Sequence, residues 1–413
     1  MLSRKKIKND LSWKDRKKPV YLWSAKENST TMSSFLEQKN PEGKVRVGEV
    51  RNIQVLRGVA ALAVIFFHIR LWEGKAVGDL GISPGFFKLG EIGVDLFFVI
   101  SGFIMAYIQP APLNRWKLYA RFIIHRATRI YPPLWIVMTP LLPIYLMHPE
   151  LFNNFYNNRV ELLRSFLLFP QDYTPLLGVA WTLIHEVYFY IVVSGALVFS
   201  ARGRLGYAVC WFLLVVIVFS KYGETNFGYH RVLQLVFSPF SLTFLLGFFL
   251  GLWYSHHQSD TISFGLVFSV LAVLGLVFAW RHELPESVYP NNNSMSRFLV
   301  YGVPCALLVA AAVFLERRMQ RRFETFRHLG NESYAIYLLH LPILTIVYKS
   351  LKIVPHTTHL ILAVAMLVSL VGCISVAAVF HRYIEVPVTT TARKYLERRF
   401  GVLGPQKSKG NED

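Results

Sequence analysis

The sequence is poor in charge and in cysteine. Only 17% of its 413 residues are Asp, Glu, Lys or Arg, against 53% hydrophobic residues. A soluble domain of this size carries more charge. The three cysteines, Cys210, Cys305 and Cys373, all fall inside apolar runs. No Cys-x-x-Cys pair or Cys/His ligand spacing accompanies them, so they read as buried small hydrophobes. That argues against a disulfide frame, a metal site or a thiol nucleophile. No cleavable signal peptide is visible, because a basic tract follows Met1 without an apolar core behind it. The first spanning helix is expected to act as an uncleaved insertion signal. A glycine-rich phosphate loop, a zinc spacing and a Gly-x-Ser-x-Gly elbow are also missing. A water-soluble kinase or hydrolase therefore lacks support.

What is present is a series of apolar runs rich in aromatic residues, with 32 Phe, 20 Tyr and 9 Trp. Runs of about 18 residues or more predict an all-α, polytopic membrane protein. Ten helices are expected, near 53–70, 88–108, 131–147, 181–200, 205–220, 236–255, 261–280, 297–315, 333–350 and 359–382. Pro84, Pro110, Pro149, Pro285 and Pro355 fall between them, as helix breakers do at loops. Three regions follow: a flexible basic tail over 1–51, a membrane domain over 52–390, and a basic C-terminal tail over 391–413.

The formal net charge is +19. The basic residues sit in the tails and between apolar runs, which fits loops facing an anionic cytoplasmic leaflet and not a nucleic-acid surface. The inner side would carry Arg115 to Arg129, Arg202, Arg204, Arg317, Arg318, Arg321, Arg322 and Arg327, together with the C-terminal basic residues. The loop near His256 and His257 is the exception, having no Lys or Arg. The bias favours ten spans with both termini cytoplasmic.

The first helix carries Arg57 and His68, eleven residues apart. Both lie on nearly one helical face, roughly 16 Å apart along the axis. Ionisable groups on an apolar helix mark a functional site, because lipid makes them costly. The plain alternative is that Arg57 snorkels to the interface and His68 marks the far helix end. Asp95 opens a dense apolar run, Gly93 to Phe103, and needs a partner; a cation or imidazole on the first helix is the economical choice. It also fits an outer-interface residue. Ser101 and Gly102 are small enough to let helices approach closely.

Arg126 and Arg129 are spaced to face one side of a helix turn, as a phosphorylated ligand would require. Ordinary positive-inside charge gives the same pattern. Glu186 precedes a long apolar run and reads as a membrane-buried or cavity-facing carboxylate. Tyr337 and His340 are three apart and share a face. Glu385, in His381-Arg382-Tyr383-Ile384-Glu385, is expected to play a structural role.

Together these motifs resemble the acyltransferase-3 family, the membrane-bound O-acyltransferases of bacterial surface polysaccharides. The resemblance is carried by Arg57 with ten residues before His68, the Gly93-to-Phe103 run, and Arg126-x-x-Arg129 followed by Ile-Tyr-Pro. Trp181-Thr182-Leu183 with Glu186 and Tyr188-Phe189-Tyr190, and the closing Tyr383-Ile-Glu-x-Pro387, add to it. It covers about 53 to 390. The stretch from Asn52 to Ala61 further resembles the exopolysaccharide-production acetyltransferase subgroup. Only about thirty polar residues follow the last helix, so no added SGNH-type domain is expected.

The resemblance implies a ten-helix bundle in the bacterial plasma (inner) membrane. It would move an acyl group, usually acetyl, from cytoplasmic acyl-CoA to a sugar hydroxyl, with no metal. His68 would be the general base or a transient acyl carrier, two roles the sequence leaves open. Asp95 or Glu186 would orient its imidazole. Arg57, Arg126 and Arg129 would hold acetyl-CoA. The expected partners are the lipid bilayer, a carbohydrate acceptor and the polysaccharide biosynthesis machinery. Two rival readings are a transporter or flippase for a polysaccharide precursor, with the same ionisable residues lining a path, and a non-catalytic assembly partner.

Overall fold

The computed structural model describes residues 50–78, 81–107, 115–152, 157–223, 231–256, 262–282, 294–316, 323–354 and 358–402. The expected N-terminal tail up to residue 49 lies outside the described residues, as do Arg317, Arg318, Arg321 and Arg322. Among the described residues every regular element is helical.

The chain runs through α1 (Arg51–Val77), α2 (Ile92–Tyr107), α3 (Arg115–Met138), α4 (Leu141–Met147), α5 (Leu162–Leu167), α6 (Ala180–Ala196), α7 (Ala201–Tyr222) and α8 (Arg231–Val236). It continues through α9 (Phe240–His256), α10 (Ile262–Arg281), α11 (Val303–Phe314), α12 (Glu324–Asn331), α13 (Ser333–Ser350), α14 (His359–Phe380) and α15 (Val386–Arg399). A short turn and a π-helical segment, Phe298–Gly302, lead into α11, and a second π-helical segment, His381–Glu385, joins α14 to α15.

Each of the ten expected segments falls on helix. Seven helices among the described residues are long and apolar enough to cross a membrane, or eight if the bent pair α3–α4 counts as one span. Ten spans are therefore not reached by length and composition. α6 has only 17 residues, and α1 is longer than expected, running to Val77. Residues 391–399, at the start of the expected C-terminal tail, continue as helix α15 packed on α3.

The helices form a centre and a rim. The apolar span ending in α2 is 72% buried inside the protein, whereas α10 is 17% buried. Leu266, Val267, Val270, Val273 and Leu274 of α10 are exposed, the surface that lipid tails accept without cost. Cys210 belongs to this outward surface, contrary to the expectation that it is buried; Cys305 and Cys373 are buried. All three are free thiols.

Glycine sets how closely the centre packs. A Cβ on Gly102 would sit 2.0 Å from the Phe244 carbonyl oxygen, and one on Gly247 1.9 Å from that of Val99. α2 and α9 thus meet backbone to backbone, which only small residues permit. α1 packs between α2 on one side and α12 and α13 on the other, and that position carries its polar side chains into the interior.

Candidate active site

Arg57, Arg126, Arg129 and Glu186 converge on one cleft that is partly open to the outside. α1, α2, α3, α6 and α13 supply its walls. Ser101, Thr182, Ser333, Tyr334 and Tyr337 add hydroxyls, and Phe97, Phe98 and Ile104 line the apolar part.

Arg57 is buried and held from two sides. It donates to Gln54 Oε1 at 3.0 Å and to Ser333 Oγ at 2.8 Å. Glu186 and Glu385 lie within electrostatic reach of it, as does Arg129. Arg126 is buried, with its guanidinium 5.5 Å from the Phe122 ring centre and 5.3 Å from that of Tyr190. Such stacking fixes the plane of the fork through its faces, and its buried Nε has no hydrogen-bond partner among the described residues. Glu186 accepts hydrogen bonds from Tyr190 OH and from Ser101 Oγ, the latter at 3.4 Å.

Local sequence explains this placement. Arg129 sits about one helical turn, and Arg126 about two, before Pro132 and Pro133, which remove two amide donors from α3. Tyr334 OH donates to the nearby Ile130 carbonyl at 2.7 Å, tying α13 to α3 beside the arginines. Tyr337 OH bonds the Val179 carbonyl at 2.9 Å and Thr182 Oγ1 at 2.6 Å, tying α13 to α6. Beyond the cleft, His125 bonds Glu397 of α15 at 2.6 Å, so α15 clasps the same stretch of α3.

His68 does not line the cleft. It stands three turns further along α1, with Nδ1 2.9 Å from the Val64 carbonyl oxygen. A carbonyl only accepts, so Nδ1 carries a proton, and in the neutral ring Nε2 keeps its lone pair. Its ring meets that of His340 with centroids 4.9 Å apart. Tyr337 bridges the two regions, lining the cleft while its ring lies 5.6 Å from that of His340.

The expected orienting carboxylates are elsewhere. Asp95, fully buried, takes its cation from Arg297 at 2.8 Å and not from α1. Arg297 also bonds Glu91 and lies over the rings of Phe240 and Tyr301. A buried carboxylate needs a full, hydrogen-bonded cation; Arg297 supplies it, and His68, tied to the Val64 carbonyl, is not among the charged groups acting on Asp95. Glu186 is engaged in the cleft by Tyr190 and Ser101. The carboxylate within electrostatic reach of His68 is Glu91. Sequence reasoning missed Glu91 and Arg297; the available signal was a lone Arg opening the apolar run from Phe298. It also missed Gln54 and Ser333 as the partners of Arg57. Glu385 is buried, bonds His381 at 2.8 Å and faces Arg57 and Arg129.

No three His, Cys, Asp or Glu side chains gather as a metal site among the described residues. The profile of the acyltransferase domain matches residues 50–378, which span the cleft and both histidines. The chain belongs to the acyltransferase-3 family. It is therefore an acyltransferase, as the motifs implied. It is similar to the exopolysaccharide production protein ExoZ of Rhizobium meliloti, 29% identical over 279 residues, covering 64% of this chain and 80% of that protein. It is also similar to the peptidoglycan O-acetyltransferase OatA of Listeria monocytogenes, 24% identical over 401 residues, covering 82% of this chain and 56% of that one. Nodulation protein 10 of Rhizobium leguminosarum is 25% identical over 390 residues, covering 88% of this chain and 99% of its own. The chain thus spans little more than half the length of OatA. No solved structure matches it.

Proposed function

We propose that the protein is a plasma-membrane O-acetyltransferase with both termini cytoplasmic, acting through residues 52–390. It moves an acetyl group from cytoplasmic acetyl-CoA to a sugar hydroxyl of an exopolysaccharide or a lipid-linked oligosaccharide. One observation carries the reading. A single rigid helix, α1, joins a cleft of three arginines to an imidazole with a bare Nε2, about 16 Å away along its axis. Arg57, Arg126 and Arg129 hold the phosphates of the donor. The extended pantetheine arm passes Tyr337 and brings the thioester toward His68. The names of the relatives, an exopolysaccharide production protein and a peptidoglycan O-acetyltransferase, support a carbohydrate acceptor and an acetyl donor.

His68 acts as the general base in this scheme. The acceptor hydroxyl proton moves to His68 Nε2, and the oxygen forms the new C–O bond to the thioester carbonyl carbon. The C–S bond breaks with its electron pair on sulfur. His68 then returns the proton to sulfur, leaving free CoA thiol, an ester and a neutral imidazole. The test is mass spectrometry of surface polysaccharide from a strain lacking the protein and complemented with wild type or His68→Ala. The reading expects the acetyl mass to be absent with His68→Ala and restored by wild type. Full acetylation with His68→Ala would remove His68 from the reaction.

A further inference from the structure

His340 is a histidine that the scheme above leaves without a task. It lies on α13, fully buried at 0% exposure, directly against His68. The two imidazoles share one arrangement. Each has Nδ1 facing the carbonyl four residues earlier, at 2.9 Å from Val64 O for His68 and 3.2 Å from Ile336 O for His340. Each Nδ1 therefore carries a proton, and in the neutral ring each Nε2 is a bare acceptor. The Nε2 of His340 is buried and has no hydrogen-bond partner among the described residues. Buried polar atoms in native proteins are nearly always satisfied, so an orphaned acceptor beside a reacting group invites a functional explanation.

The surroundings of His68 sharpen the question. Taking the acceptor proton turns it into a cation among apolar side chains, with the Phe67 ring 5.2 Å away. A cation there needs electron density close by. Asp95 and Glu186 are committed to other partners, and Glu91 bonds Arg297. Lys75, the other charged group within reach, has the wrong sign. What directly faces the ring is a second imidazole, at an interplanar angle of 65°. A carboxylate in that place would leave a buried anion whenever His68 is neutral, whereas a neutral imidazole costs nothing comparable in the resting state.

We propose that His340 is the positioning residue of His68: its edge-on ring and bare Nε2 fix the His68 plane and stabilise the imidazolium formed when the acceptor proton is taken. This rests on His68 being the base. The role differs from simple packing, because it needs a lone pair and not just a ring of that size.

The experiment uses membranes containing the full chain and its endogenous acceptor, supplied with radiolabelled acetyl-CoA. The initial rate of label entering polysaccharide and the KM for acetyl-CoA are both read. His340→Phe keeps the ring and loses the lone pair; His340→Gln loses the ring and keeps an acceptor oxygen. His340→Phe should lower the rate about 10²-fold with KM unchanged, and His340→Gln should be clearly faster than His340→Phe. In parallel, the rate at which diethyl pyrocarbonate modifies His68 in purified protein should fall in His340→Phe. If His340→Phe does not accumulate, His340→Leu takes its place, and Gln exceeding Leu is the same result. A wild-type rate in His340→Phe, or Gln no better than Phe or Leu, overturns the proposal. An active His68→Ala would sink the base assignment itself. An inactive His68→Ala beside a normal His340→Phe would sink only the role of His340.

Discussion

The two ends of the Arg57–His68 stretch handle polarity in opposite ways. Around Arg57 the protein concentrates charge: three guanidiniums, Glu186 and several hydroxyls meet in one cleft, with Glu385 within electrostatic reach. Around His68 charge stands back: a carbonyl and a second imidazole touch the ring, and Glu91 and Lys75 act on it only at electrostatic range. An anionic ligand is best held by many fixed donors. A base is best held neutral and dry until it reacts. The contrast teaches that one helix can carry both tasks only if they are separated along it, and the three turns between them supply that separation.

The largest expected effect comes from the neutral end. His68→Ala should lower acetyl transfer about 10²- to 10⁴-fold while acetyl-CoA binding to purified protein stays near wild type. Transfer assays alongside equilibrium binding check this. Removing Arg297, the buried partner of Glu91, tests whether the neutral end depends on its scaffold. Arg297→Leu strands Asp95 and Glu91 without their shared cation and should destabilise the fold by about 3–5 kcal/mol, read as a lowered thermal midpoint in detergent. A stability close to wild type would mean that the two carboxylates find another partner.

At the charged end, Arg126→Ala and Arg129→Ala should each weaken acetyl-CoA binding by about 1.5–3 kcal/mol, the range for hydrogen bonds to charged groups. Titration with labelled donor measures it, and salt should weaken wild-type binding in the same direction. A smaller effect is expected where the bundle merely sets the frame. A Cβ at Gly102 meets the Phe244 carbonyl oxygen at 2.0 Å, so Gly102→Ala should cost about 1–3 kcal/mol of stability through overpacking. Unchanged stability would show that α2 and α9 can slide apart freely.

Much of this was legible in the sequence, and for physical reasons. Apolar runs long enough to span lipid announce their helices, and a spacing of eleven on one helix fixes the Arg57–His68 separation without any tertiary information. The convergence of Arg57, Arg126, Arg129 and Glu186 was foreshadowed because each is costly in an apolar run. The partners were not legible. Which cation meets Asp95 depends on how helices far apart in sequence pack, and Arg297 is 202 residues away. The contact between His68 and His340 is likewise a product of α1 packing on α13. The outward-facing Cys210 also escaped, because an apolar run looks the same whether its face meets protein or lipid.

The most direct test is acetyl-CoA binding measured on purified His68→Ala and on the Arg126→Ala, Arg129→Ala double variant, each paired with its transfer rate. Separation of tasks along α1 predicts that His68→Ala binds donor like wild type and transfers almost nothing, while the double variant loses donor binding. If His68→Ala loses binding as severely as the double variant, or if the double variant binds donor normally, the two ends do not divide the reaction as described.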